Sequence, residues 1–215
     1  MIGDPQWAAL LNEAALTPPG EADDTREHIL DAALAEAAAV GVNRMTVEDV
    51  VRRSRLGRMT VYRRFPRRDD LVKALAVREI QRFLAAVAAG IDRAPNGRAG
   101  VAEAFVAAVT FARRHPLLQR LAFTAPGFPL EAVAANDAEV LSMGAAFIAR
   151  EMHGDRPGAP SREVRWVADT FARLFITYLG VPPADPDVTD DVQLRLFAEH
   201  VLTPMVERAT AGARP

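Results

Sequence analysis

The 215-residue chain contains no cysteine, which excludes a disulfide framework, thiol chemistry and Cys-ligated metal sites. Lysine is nearly absent too, with Lys73 alone against 25 arginines. That bias, with abundant Ala, Gly and Pro, resembles the output of a GC-rich genome. No apolar run reaches the roughly 18 residues of a membrane span, and charges interrupt every candidate. The N-terminus MIGDPQWAALLNEAAL lacks a basic leader and a cleavage site, so no secretory signal is read and a cytoplasmic, non-membrane protein is expected. His28, His115, His153 and His200 are scattered without metal-ligand or triad spacing. Ser54, Ser142 and Ser161 lack the glycine pattern of a nucleophile elbow. The acids Asp185, Asp187, Asp190 and Asp191 lack the spacing and distal Glu of a calcium loop and read as helix caps. No enzyme, metal or cofactor is therefore expected.

Half the residues are apolar and a quarter charged, enough for a sizeable core. The formal net charge of −2 hides an asymmetry. Residues 1–43 hold eight acids and one base, Arg26, whereas residues 44–82 hold twelve bases and five acids. Residues 83–215 are nearly balanced, with thirteen bases and fifteen acids. Codon bias explains arginine over lysine but not this clustering. A basic block of about forty residues points to a polyanion-binding module.

Strand-like alternation never persists over six residues, and nearly every stretch reads as helix. Residues 1–24 form an arm, in which Trp7, Leu10, Leu11 and Ala14 share one helical face that either docks on the body or frays. The first firm helix starts at Asp24 or Thr25, with Glu27 three residues after Asp24 as a capping box, and runs to Gly41. Thr46 caps a short helix, Val47–Arg53, with Asp49 favouring the positive end of its dipole. After the SRLG turn, Gly57 opens a third helix, Arg58–Phe65, which Pro66 ends. On it Met59, Val61 and Phe65 serve as packing residues. A long fourth helix reaches about Ile91, and further helices are expected at about 98–114, 116–124, 129–153, 161–180 and 187–210.

The first three helices have helix-turn-helix proportions. The third carries Arg58, Thr60, Tyr62, Arg63 and Arg64. A major groove admits one α-helix; Arg can hold guanine O6 and N7 bidentately, and Thr can meet a thymine methyl or a phosphate. Thr46, Tyr62 and Arg68 sit near helix ends, where phosphate contacts fix register without reading sequence.

These residues carry a family resemblance. The run from Ile29-Leu30-Asp31-Ala32-Ala33-Leu34 through Gly41, Thr46-Val47-Glu48-Asp49-Val50, Thr60-Val61-Tyr62 and Phe65-Pro66 to Leu71 resembles the DNA-binding domain of the TetR family of bacterial transcription regulators. The resemblance implies an all-α homodimer, with an N-terminal three-helix helix-turn-helix head and a C-terminal helical bundle that binds an effector and dimerises. It implies an arm at 1–24, a DNA-binding domain at 25–70 and a ligand-binding and dimerisation domain at 71–215. It also implies that the third helix enters the major groove and that Tyr62 and Arg68 touch phosphate. There are departures. Ala37 stands where a large aromatic is usual, Arg55 replaces a turn glycine, Gly57 occupies a common serine cap, and Val51 follows Val50 where a small residue is usual. Arg55 can add a phosphate contact, and another residue would then absorb any positive φ. RRHPLLQRLAF and VADTFARLFITYLGVPP are similar to C-terminal segments of the same family.

Aromatic and polar residues of the C-terminal helices are candidates for lining an effector pocket: Phe105, Arg120, Phe123, Thr124, Asn136, Phe147, Trp166 and Phe171. The stripes Phe171, Leu174, Phe175, Tyr178 and Val192, Leu196, Val201, Met205 are candidates for an isologous dimer interface. The function expected is a sequence-specific repressor that binds a double-stranded, pseudo-palindromic operator and is released by a small, largely apolar effector. The rival readings are a ligand-independent DNA-binding protein of the same fold, and a helical enzyme or lipid-binding module whose basic patch grips an acidic substrate.

Overall fold

The computed structural model describes residues 9–10, 13–14, 23–94, 97–125, 127, 130–131, 139–180 and 190–211. Among these residues there are helices and turns and no strand, so the fold is all-α as expected. The helices are α1 (Asp24–Val40), α2 (Val47–Ser54), α3 (Arg58–Arg64), α4 (Arg68–Asp92), α5 (Gly97–Arg114), α6 (Pro116–Thr124), α7 (Glu139–His153), α8 (Arg162–Gly180), α9 (Asp191–Phe197) and α10 (Thr203–Ala211). The chain divides into two compact units, one of residues 1–84 with 115–124, the other of 85–114 with 125–215.

In the first unit, Ile29, Leu30, Ala33 and Ala37 of α1 close a core with Met45, Val47, Val50, Val61, Phe65, Leu71 and Leu75. Ala37 is small, and Met45 and Phe65 supply bulk to the same core. Asp23 is the N-cap of α1, its carboxylate accepting from Arg26 N, one residue earlier than the capping box expected at Asp24. Gly41 ends α1 at φ 92°, a conformation that glycine adopts without steric cost. The last carbonyls of α1 are covered by α6: Arg120 Nη1 donates to Ala38 O at 3.3 Å and Ala39 O at 2.7 Å. A cation there meets both the orphan acceptors and the negative end of the helix dipole.

A polar knot ties α1, α4 and the start of α6 together. Buried Arg78 donates through Nη1 to Asp31 at 2.8 Å and through Nε to Glu79 at 2.7 Å, and His115 Nε2 lies 3.1 Å from the other Glu79 oxygen. Of the arm, Ala14 is buried, Glu13 pairs with Lys73 at 2.9 Å, and Gln81 donates to Ala14 O at 3.5 Å. These residues lie on the α4 surface; Trp7 and Leu11 lie outside the described residues.

The second unit is built around Phe105, Val109, Val164, Ala168, Phe171, Leu194, Leu202 and Val206. Gly90 of α4 lets α5 come close: a Cβ there would lie 2.9 Å from Glu103 O and from Ala107 Cβ. The expected helix 187–210 is interrupted, with a π-turn over Ala198–Leu202 between α9 and α10. Pro204 accounts for it, having no N–H to give the His200 carbonyl, and its ring crowds that carbonyl. The turn also keeps the core face in register. Leu194, Ala198, Leu202 and Val206 recur every four residues and are all buried. On an uninterrupted α-helix each such step drifts by about 40°. Asp190 caps α9 through Val192 N at 2.7 Å, whereas Asp185 and Asp187 lie outside the described residues. Of the expected helix 129–153, Leu130, Glu131 and Glu139–His153 are described as helical.

Burial pushes the Glu79 carboxyl up, but His115, Arg78 and Arg82 outweigh it and hold the group below the ordinary 4.5. A lowered carboxyl stabilises the fold above its unfolded value and loses that contribution as pH falls through the folded one. Glu79→Gln is expected to cost about 1–2 kcal/mol at neutral pH. Urea melts at pH 7 and in the acid range should show that the variant loses less stability than the parent as pH falls below 4.5.

Candidate nucleic-acid interface

The basic block lies in the first unit, over α2, α3 and most of α4. Thr46 and Asp49 make a full capping box at the start of α2: Asp49 N donates to Thr46 Oγ1 at 3.1 Å, and Thr46 N donates to Asp49 Oδ2 at 3.1 Å. The Thr46 hydroxyl donates to the same carboxylate at 2.6 Å. Both donors that Thr46 would offer a phosphate are thus spent on Asp49, whose carboxyl is held below its ordinary value by the Thr46 hydroxyl first and by Arg52 next. α2 is joined to α1 by Arg53 Nε on buried Glu36 at 2.6 Å, and by His28 Nε2 against Ser54 O at 2.8 Å.

Between α2 and α3, Arg55 itself takes the left-handed conformation, φ 57° and ψ 19°, so no other residue absorbs the positive φ. It is the one non-glycine with positive φ among the described residues. The seven residues of α3 are anchored on one side by Val61, with Phe65 just beyond its end, 0 % and 4 % exposed. Met59, expected to pack with them, is 80 % exposed. Geometry gives the reason: residues 61 and 65 are four apart and share a face, while residue 59 lies about 200° from residue 61 around the helix. An apolar side chain is therefore presented to solvent among the cations.

The expected contact residues differ in how they are held. Arg63 is exposed and Thr60 half-buried. Arg58 Nη2 lies 3.1 Å from Glu48 Oε1, which also accepts the Tyr62 hydroxyl, and the Arg58 guanidinium sits 5.2 Å from the Tyr62 ring centre. Arg64 makes a two-point contact with Asp23, Nε at 3.1 Å and Nη2 at 2.9 Å, and that guanidinium is the main reason the Asp23 carboxyl is lowered. Arg68 turns inward, donating to Met45 O at 2.9 Å and Val42 O at 2.6 Å, which secures the loop before α2. Sequence reasoning passed over three participants: Glu48, the exposed Arg67, and Asp23 as the holder of Arg64. Only Asp23 carried a legible signal, as an acid beside a helix start.

Residues 29–75 match the family model described as bacterial regulatory proteins, tetR family. Over these residues, which span α1 to α3 and the start of α4, the chain is similar to the tetR family. Two solved structures share the fold over most of its length. One is a TetR-like transcriptional regulator from Rhodococcus sp. RHA1, with TM-score 0.56, 14 % identity, and coverage of 90 % of this chain and 100 % of that one. The other is the TetR family repressor AlkX from Dietzia sp. strain DQ12-45-1b, implicated in biodegradation of n-alkanes, with TM-score 0.54, 21 % identity, and coverage of 85 % and 97 %. No curated protein matches the sequence.

Beyond the residues that match this family, the candidate effector residues are dispersed. Phe105 and Phe171 are packed edge to face at 6.0 Å in the core of the second unit, where Tyr178 and Phe197 complete an aromatic cluster at 5.7 Å and 6.5 Å from Phe105. Phe147 is 40 % and Trp166 62 % exposed, and Arg162 stacks over Trp166 at 5.8 Å. Arg120 is committed to the α1 carbonyls in the first unit, where Phe123 is 90 % exposed and Thr124 donates to Arg120 O. Asn136 lies outside the described residues. Of the candidate interface residues, Val192, Leu196 and Val201 are exposed, and Leu174, Phe175, Tyr178 and Met205 are partly buried against the core. Phe171, 1 % exposed, is a core residue of the second unit and offers no surface to a second copy.

The strained Arg55 yields a direct test. Left-handed backbone costs a non-glycine residue about 1–2 kcal/mol, and glycine's greater unfolded freedom returns about half of that. Arg55→Gly is expected to raise stability by about 0.5–1 kcal/mol in denaturant melts. An unchanged or lowered midpoint would contradict the strain.

Proposed function

We propose that the protein is a sequence-specific transcriptional repressor that releases its operator when a small, largely apolar effector binds. The observation that carries the reading is the face of α3: a helix anchored by Val61 that turns Arg58, Met59 and Arg63 to solvent, with the Tyr62 ring partly packed on the core and its hydroxyl on the exposed Glu48, beside the strained Arg55. Arg58 and Arg63 suit guanine edges, Met59 and Thr60 suit thymine methyls, and Tyr62, Arg55 and the exposed Arg67 suit phosphates. Arg64 and Arg68 position the helix rather than touch DNA, because Asp23 and the carbonyls of residues 42 and 45 already hold them.

The functional division follows: an arm at 1–24, a DNA-binding domain at 25–70, and a ligand-binding and dimerisation domain at 71–215. A homodimer would set two copies of α3 in successive major grooves, about 34–36 Å apart, on a pseudo-palindromic operator. The exposed Val192, Leu196 and Val201 are the apolar surface best suited to a second copy. The aromatic cluster around Phe105 is the best-suited environment for an apolar effector in the second unit. Release requires that the effector bind more tightly to a state whose heads no longer match the operator spacing. A cytoplasmic location follows from the role, and no helix among the described residues is long and apolar enough to cross a membrane.

In gel-shift titrations, Arg63→Ala should weaken operator binding by about 1–3 kcal/mol and Tyr62→Phe by about 0.5–1.5 kcal/mol. The parent should show a steep loss of affinity with added salt. Unchanged affinity in both variants would remove α3 as the recognition helix.

A further inference from the structure

One carboxylate on the outward side of the head occupies two of the donors assigned to DNA. Glu48 is the second residue of α2, exposed to solvent, and its Oε1 accepts the Tyr62 hydroxyl and lies 3.1 Å from Arg58 Nη2. The positive end of the α2 dipole favours an acid at this point but does not explain why its oxygen faces α3. The neighbouring acids have other work: Asp49 completes the α2 cap and holds Arg52, and Asp23 caps α1 and holds Arg64. A hydroxyl and a guanidinium on a DNA-reading helix are the usual holders of a backbone phosphate. A carboxylate presents the same kind of anionic oxygen at the same hydrogen-bonding distance.

We infer that Glu48 is an intramolecular competitor for DNA phosphate, keeping Arg58 and Tyr62 occupied until an operator offers better partners, and thereby sets the selectivity between operator and bulk DNA. The inference rests on the reading of α3 as the recognition helix. On non-cognate DNA, moving Arg58 from Glu48 to a phosphate exchanges one exposed ion pair for another and leaves a bare carboxylate facing the polyanion, so little is gained. On the operator, Arg58 reaches the two acceptors of a guanine edge, a bidentate contact that a single carboxylate oxygen does not match. The penalty therefore falls mainly on binding that uses phosphates alone. The contact joins a neutral phenol to an ionised carboxylate at neutral pH: Glu48 raises the Tyr62 hydroxyl above 10.0, and Tyr62 is the largest cause of the lowered Glu48 carboxyl.

Glu48→Gln keeps the shape and removes the charge. Binding is read by fluorescence anisotropy across a salt series, on a duplex of scrambled sequence and on the tightest duplex selected from a random library. The variant should bind the scrambled duplex at least about threefold more tightly, the worth of an ordinary exposed ion pair. Its salt slope there should steepen by about 0.9, one extra phosphate contact. The selected duplex should change less, so the preference narrows. Asp70→Asn removes an equal charge from the first turn of α4 and should leave the preference unchanged. Without DNA, the tyrosine titration should move Tyr62 back toward 10.0 in Glu48→Gln, the signal being assigned by its loss in Tyr62→Phe. A parent that prefers the selected duplex, with an unchanged preference in Glu48→Gln, overturns the competitor. An unmoved Tyr62 titration overturns the contact beneath it. A parent that prefers neither duplex overturns instead the reading of α3.

Discussion

A helix of seven residues does not hold its own conformation in water, because nucleation fixes several residues before hydrogen bonds offset the entropy. The outward face of α3 therefore exists only because Val61 and Phe65 are buried among Ile29, Leu30, Val50 and Leu71. That anchorage also dictates what faces outward. With 61 and 65 turned inward, Met59 must be on the far side, and Arg58, Tyr62 and Arg63 flank it. The chemistry of the outward face is thus set by the packing of two side chains that point the other way.

The positive charge of residues 44–82 is less free than its sum suggests. Arg52 pairs with Asp49, Arg53 with Glu36, Arg58 with Glu48, and Arg64 with Asp23, an acid from the preceding segment. Through Glu36 and Asp23, the acidic leading segment supplies the anions for two arginines of the basic block. The arginines serve unequal purposes: Arg53 and Arg64 brace helices against one another, Arg68 ties down a loop, and Arg63 and Arg67 remain exposed.

The head was legible in the sequence because its signals are short in range. Gly41, Thr46 with Asp49, Gly57 and Pro66 each mark a boundary by local backbone chemistry, and all mark real ones. The long-range partners were not legible. Nothing in the run around Arg120 says that its guanidinium covers the end of α1, or that Asp23 meets a side chain forty-one residues away. The C-terminal helices were legible as helices, but their apolar positions were ambiguous. Core, effector pocket and dimer face all use the same helical periodicity, so Phe171 qualified for each and is core. The π-turn before Pro204 is a similar case: the expected helix ran straight through the proline, and the burial pattern that makes its distortion useful is a matter of packing.

The central claim, that α3 reads base edges in successive major grooves of a two-fold site, is tested most directly by guanine-N7 methylation interference on the tightest duplex selected from a random library. The account predicts two clusters of interfering guanines, symmetric about a centre and one helical turn of about 10–10.5 base pairs apart. Uniform binding regardless of methylation, or interference confined to a single unrepeated cluster, would contradict it.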